Sequence, residues 1–164
     1  MGAILYDDDI LTWSEQQSAA LRRLAGDPGL SNAVDWENVI EEIEELGRSE
    51  FNAVESLLEQ ALTHLLKAHS DPGSLSRIAW GIETDEFLRQ FRKRFTNSMR
   101  RKLDIDEIWQ VAFKVSAREL SAYRVPLRPG IPASSPFSLD DLLGEAFTFE
   151  SGLAHLNADV VGRG

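Results

Sequence analysis

Apolar residues recur along this chain at steps of three and four, the spacing of one face of an α-helix, and no stretch shows the strict alternation of a half-buried strand. The first stretch covers residues 9–24, with Ile10, Trp13, Ala20, Leu21 and Leu24 expected on one face. A second starts at Asp35, an N-cap residue type, with Val34 and Val39 placed as a hydrophobic staple. From there Trp36, Val39, Ile40, Ile43, Leu46, Val54, Leu57, Leu58, Ala61, Leu62 and Leu65 hold one register, and the phase passes unbroken through Gly47. That pattern predicts a single helix to residue 69, roughly 50 Å long at about 1.5 Å per residue. The rival is a break at which Gly47 ends one helix and Ser49 caps the next.

A third helix is expected from residue 74 or 76 to 95, packing through Trp80, Phe87, Leu88, Phe91 and Phe95. A fourth runs from residue 104 or 106 to 123, with Ile105, Ile108, Trp109, Ala112, Phe113, Leu120 and Tyr123 on one side. Asp27-Pro28-Gly29 and Asp71-Pro72-Gly73 are turn signals, since proline presets the turn and glycine accepts positive φ. Pro126, Pro129, Pro132 and Pro136 mark a surface strap. Beyond it Ser138 caps a short last helix, with Asp141 in the place of a capping-box acid and Phe137 set to staple to Leu142. The expected fold is all-α, an antiparallel helical bundle of four main helices plus a short C-terminal helix. It occupies residues 1–150, and residues 151–164 form a C-terminal tail outside it.

Composition narrows the function classes. At 164 residues and 43% hydrophobic, the chain is the size and character of one globular domain. It has no cysteine, which excludes a disulfide scaffold, a thiol nucleophile and a zinc site built on thiolates. No apolar run approaches the roughly 18–20 residues of a membrane span, and the acidic start lacks the basic region of a signal peptide. The expected location is therefore the cytoplasm, with no membrane partner.

The net charge of 17 − 27 = −10 conceals two blocks. Residues 35–59 hold nine acids and one base, Arg48, while residues 87–102 hold seven bases and no acid. Blocks of opposite sign on neighbouring helices attract one another, although no single exposed bridge adds much stability.

The run Trp36-Glu37-Asn38-Val39-Ile40-Glu41-Glu42-Ile43-Glu44-Glu45-Leu46-Gly47-Arg48-Ser49-Glu50 resembles the signature of a bacterial family known as domain of unknown function 29. Tyr6-Asp7-Asp8-Asp9 with Trp13, His64-Leu65-Leu66-Lys67, and Pro136-Phe137-Ser138-Leu139-Asp140-Asp141-Leu142-Leu143 also resemble that family, so the likeness spans residues 6–147. Where an aromatic often follows the His-Leu-Leu-Lys stretch, this chain has Ala68-His69-Ser70. The resemblance implies a small, mostly helical protein. The family has no established activity, so no catalytic residues carry over.

Several residues are candidates for chemistry in their own right. Glu37, Glu41 and Glu45 form an i, i+4 column, but no glutamate is followed three residues later by histidine, as a di-metal helical bundle requires. No metal and no cofactor is expected. Glu50 falls on the core side of its helix beside Gly47, where an ionised carboxylate must find a partner or raise its pKa. Its partner could be Arg22, Arg77 or another arginine, and Arg48 lies close by in sequence. His64 sits at the edge of the same apolar stripe, and His69, five residues on, is wrongly spaced for a two-histidine metal pair. Arg89, Arg92 and Lys93 share a helix face that could bind nucleic acid, against the repulsion of a −10 chain. No Gly-x-Ser-x-Gly element or phosphate-binding glycine loop is present.

Two function classes follow. The first is a non-enzymatic interaction module, either a homo-oligomer or the partner of another cytoplasmic protein. The second is a small enzyme or ligand-binding bundle whose cleft gathers Glu50, His64 and an arginine, which a helix broken at Gly47 would permit. Nucleic-acid binding through Arg89, Arg92 and Lys93 is a third and weaker reading.

Overall fold

The computed structural model describes residues 2–30 and 32–161. The protein is all-α, with no strand among the described residues. The helices are α1 (Gly2–Asp8), α2 (Ile10–Ala25), α3 (Trp36–Ser70), α4 (Arg77–Arg94), α5 (Ile105–Ser121), α6 (Leu139–Leu143) and α7 (Phe149–Val161). A 3-10 turn lies at Asn97–Arg101. The chain divides into two compact units. The first comprises residues 1–54 and 94–103, the second residues 55–93 and 104–164.

Local capping explains most of the helix starts. Asp9 accepts from the Thr12 amide and caps α2, and Asp104 does the same for α5 through Glu107. The Asp35 carboxylate accepts from the Asn38 amide at the head of α3. Ser138 and Asp141 exchange both bonds of a capping box before α6. Helix α3 is continuous for 35 residues, so Gly47 is interior to it and the broken-helix alternative is excluded.

In the first unit, α2 and α3 approach through small residues. The buried residues of α2 are Leu11, Ser14 and Ser18. The expected face of Ile10, Trp13, Ala20, Leu21 and Leu24 is therefore corrected, and Leu24 is 51% exposed. The cause is Gly47: a Cβ built there would lie 2.1 Å from Ser14 Oγ, so a serine rather than a large apolar residue meets the glycine. Ser14 spends its hydroxyl proton on the Leu11 carbonyl at 2.9 Å and leaves no buried polar atom wanting. Met99 is fully buried in the same unit.

The second unit has the larger core. Leu58, Leu62, Leu65 and Leu66 of α3 are at most 1% exposed, as are Leu88 and Phe91 of α4 and Trp109 of α5. The Trp109 indole N–H donates to the Pro132 carbonyl at 2.9 Å, which fixes the proline strap to α5. Residues 151–161, expected to lie in a tail, instead continue α7, with Leu153 and Leu156 buried. Residues 162–164 of that expected tail lie outside the described residues.

Candidate functional site

Helix α3 carries its apolar register through both units, but the register is not equally covered. In the second unit Leu58, Leu62 and Leu65 are closed off from solvent. In the first unit Ile40 is buried, whereas Val39 is 39% and Leu46 48% exposed, so two positions expected in the core face outward. Val34, the other half of the expected staple, is exposed too.

On another face of α3, around Ile40, α2 and α3 border an open groove of about 510 Å³. Trp36, Ile40 and Ala25 give it an apolar lining, and Arg22, Glu44 and Arg48 a charged one. The Arg22 guanidinium donates to Glu44 Oε1, and this bond, ahead of any other cause, holds the Glu44 carboxyl below its usual range. Arg48 donates to Glu45 at 2.9 Å through Nε and lies 4.0 Å from Glu44. Both arginines are thus engaged by acids of α3. Glu37 and Glu41, which also line the groove, have no cationic partner among the described residues. Most of this lining belongs to the run that carries the family resemblance.

Glu50 has found a partner and not a raised pKa. Arg94 donates to its two oxygens at 2.8 and 2.9 Å, a bidentate bridge joining the acidic and basic blocks within the first unit. The Arg94 hydrogen bonds outweigh partial burial and lower the Glu50 pKa. Neither Arg22 nor Arg77 is that partner, since Arg22 holds Glu44 and Arg77 lies 3.4 Å from Glu150.

His64 belongs to the second unit, in a different setting. Its Nδ1 lies 3.3 Å from Glu83 Oε2, but buried Nδ1 makes no hydrogen bond, so the pair is close without being aligned. Lys67, one turn on, is held by Glu119 at 2.6 Å and stands 4.8 Å over the Trp80 ring. Burial, then the charge of Lys67, pushes the His64 pKa down against the opposing pull of Glu83 and Glu119. His69 is also lowered, chiefly by burial, although its Nδ1 lies 3.0 Å from Asn157 Oδ1. Glu50 and His64 are therefore each engaged separately, on a helix that does not break between them. Glu50 lies in the first unit and His64 in the second, each with its own neighbours.

These two imidazoles give a testable linkage. The unfolded chain takes up protons on them as pH falls through about 6.5, while the folded chain resists until a lower pH. Their contribution to stability is present above about pH 6.5 and is lost as pH drops through their folded values. Urea midpoints at pH 7.5 and 5.5 are expected to fall further in the wild type than in a His64→Gln/His69→Gln variant. Equal falls in the two proteins would show that neither imidazole is held neutral by folding.

Nor do Arg89, Arg92 and Lys93 offer one free cationic face. Arg89 is bound to Glu86 at 2.7 and 2.8 Å, and with Gln90 it pulls the Glu86 pKa down to about 2. Arg92 turns inward and donates to the carbonyls of Leu142 and Phe147 at 3.1 and 2.7 Å, tying α4 to the end of α6 and to the segment that follows it. Lys93 is exposed. Among the described residues no group of three or more His, Asp or Glu is placed to hold a metal ion. No helix among them is long and apolar enough to cross a membrane.

The fold and the groove define a small all-α protein with an open, amphipathic face on its longest helix. The sequence matches the family described as Domain of unknown function DUF29 over residues 5–148, and the chain belongs to that family. The structure is similar to the crystal structure of an α-helical protein of unknown function from Rhodospirillum rubrum ATCC 11170. The two are 30% identical with a TM-score of 0.84, over 92% of this chain and 96% of that one. No curated protein matches the sequence.

Proposed function

We propose that this protein is a cytoplasmic, non-enzymatic interaction module that docks a helix of another protein on the first half of α3. The observation that carries this reading is the uneven covering of one apolar register. Leu58, Leu62 and Leu65 are at most 1% exposed, whereas Val39 and Leu46 of the same helix stand open. Aliphatic side chains left in solvent on a helix face cost nothing that folding recovers; covering them on binding would recover about 25 cal/mol per Å². Trp36, three residues before Val39 on the same helix, adds a residue type common among binding hot spots. Glu37 and Glu41, without a cationic partner among the described residues, favour a partner helix with basic flanks. The enzymatic alternative has less support because the Glu50 carboxylate is taken up by a bidentate bridge to Arg94.

The test compares wild type with a Val39→Asp/Leu46→Asp variant. Both positions are solvent-exposed, so circular dichroism and the unfolding midpoint are expected to change little. Affinity capture from the host's lysate is expected to recover one stoichiometric protein with the wild type and at least about tenfold less with the variant. Equal recovery by both proteins, or none by either, would overturn the reading.

A further inference from the structure

Helix α4 exposes a second apolar surface, in the second unit. Leu75, in the turn two residues before the helix, is 101% exposed, and Ile78 and Ile82 are 75% and 69% exposed. With exposed Ala79 they occupy positions 75, 78, 79 and 82, steps of three, one and three. This spacing is the same in either direction along the chain. The turn and helix bearing it can lie antiparallel on their own copy about a two-fold axis between residues 78 and 79. Leu75 of each copy then meets Ile82 of the other, and Ile78 meets Ala79, the reciprocal contact that an isologous interface requires.

The surface beside this stripe fits the same arrangement. A shallow groove of about 230 Å³ is lined by Ile78, Gly81, Ile82 and Phe149, with Arg77, Asp85 and Glu150 also at its border. A Cβ at Gly81 would come within 2.9 Å of the Phe149 ring, so the glycine lets that ring lie close against α4. The groove runs along α4 from Arg77 to Asp85 and includes Ile82, the residue that Leu75 of a second copy would meet. One copy therefore carries both a projecting side chain and a recess that borders the residue it would meet.

Charge selects the direction of pairing. Glu83 and Asp85 follow Ile82 on exposed positions. In a parallel pair they would stand against the same acids of the second copy. In the antiparallel pair they fall opposite residues 72–74, Pro-Gly-Ser, which carry no charge. Glu86, one position on, is already neutralised by Arg89. Area sets the strength: a stripe of three aliphatic side chains is of the few-hundred-Å² size that is often functional on a monomer. Doubled with its rim, it reaches no more than about the 1,200 Å² lower end of specific interfaces.

We propose that the chain forms a reversible two-fold dimer through antiparallel contact of Leu75, Ile78, Ala79 and Ile82 with a second copy. The dimer uses none of the residues of the α2–α3 groove, and its failure would leave the proposed docking of another protein untouched.

The absence of native cysteine gives a direct test. Ala79→Cys places a thiol beside the two-fold axis, and Tyr123→Cys places one on an exposed residue outside the stripe. Under mild oxidation, Ala79→Cys is expected to give a disulfide-linked dimer at least about tenfold faster than Tyr123→Cys, because only the former thiols are held together. Sedimentation of the wild type should show monomer and dimer exchanging with a Kd of roughly tens of micromolar, as suits so small an interface. The Ile78→Glu/Ile82→Glu variant, with an unchanged circular dichroism spectrum, should remain monomeric through the same concentrations. A wild type monomeric at about 200 µM, a dimer that survives in the double variant, or equal rates for the two thiols would each overturn the proposal.

Discussion

Deleting residues 149–164 is expected to unfold the second unit, although those residues lie beyond the family match, which ends at residue 148. Helix α7 buries Phe149, Leu153 and Leu156 to 3, 5 and 2% exposure. At about 1.5–3 kcal/mol for each such side chain, the loss totals roughly 5–9 kcal/mol, comparable with the whole net stability of a domain. Polar ties fall with it. The Phe149 amide donates to Asp85 at 2.8 Å, and Asn157 Oδ1 faces both His69 Nδ1 and Arg128. Deletion would leave the buried His69 ring without that partner. Gly152 shows how closely α7 is seated, because a Cβ there would stand 3.1 Å from Leu65 and Phe147 atoms. Gly152→Val is accordingly expected to cost about 1–3 kcal/mol as a graded version of the same loss. Urea unfolding followed by circular dichroism measures both. A truncated chain that keeps a cooperative transition within about 1 kcal/mol of the wild type would show that α7 lies on the unit without stabilising it.

That helix also marks what the sequence concealed. Its glycine looks like a breaker by propensity, and only the packed partner Leu65 reveals why a side chain is excluded there. Helix α1 escaped for a different reason: it is seven residues long and ends in acids, which oppose its dipole at that end. Where the signal was local and repeated, the reading was sound. The register from Trp36 onward foretold α3 as one helix, the caps at Asp35 and Ser138 lie where their residue types placed them, and Asp104, one of two expected starts, caps α5. The face of α2 was misread because two of its buried residues are serines, and hydrophobic periodicity cannot register a polar side chain whose hydroxyl is satisfied by its own helix.

The candidate site was legible to a similar depth. Val39 and Leu46 were visible as apolar positions, but pattern alone cannot say whether anything covers them. Glu50 was identified as a carboxylate needing a partner, yet Arg94 is 44 residues away and was one arginine among many. The Arg-rich stretch suggested a cationic face, and geometry dispersed it. Arg89 is neutralised by its own helix, Arg92 is turned onto carbonyl oxygens, and Arg94 is bound to Glu50. Charge runs specify composition, and tertiary contacts decide which charges remain available to a partner.

Gly47 should be the most sensitive single position in the first unit. A glycine inside a helix ordinarily costs about 1 kcal/mol relative to alanine, so Gly47→Ala would stabilise an exposed α3. Here it is expected to destabilise by about 2 kcal/mol, and Gly47→Val by about 3 kcal/mol, because the added carbon must displace a packed helix. The Cβ would meet Ser14 Oγ at 2.1 Å and both Ser14 Cβ and Leu11 Cδ1 at 3.2 Å. Rotating the hydroxyl away would break its bond to the Leu11 carbonyl and would leave the two carbon contacts unrelieved. Removing the hydroxyl should therefore restore part of the loss. A Ser14→Ala/Gly47→Ala chain is expected to be at least about 1 kcal/mol more stable than the sum of the single changes allows. The cycle is read from urea midpoints of the four proteins. A stabilising Gly47→Ala, or strict additivity with Ser14→Ala, would mean that α2 does not press on α3 at this point. The groove floor formed by Trp36, Ile40 and Ala25 would then lose the packing that holds its two walls in place.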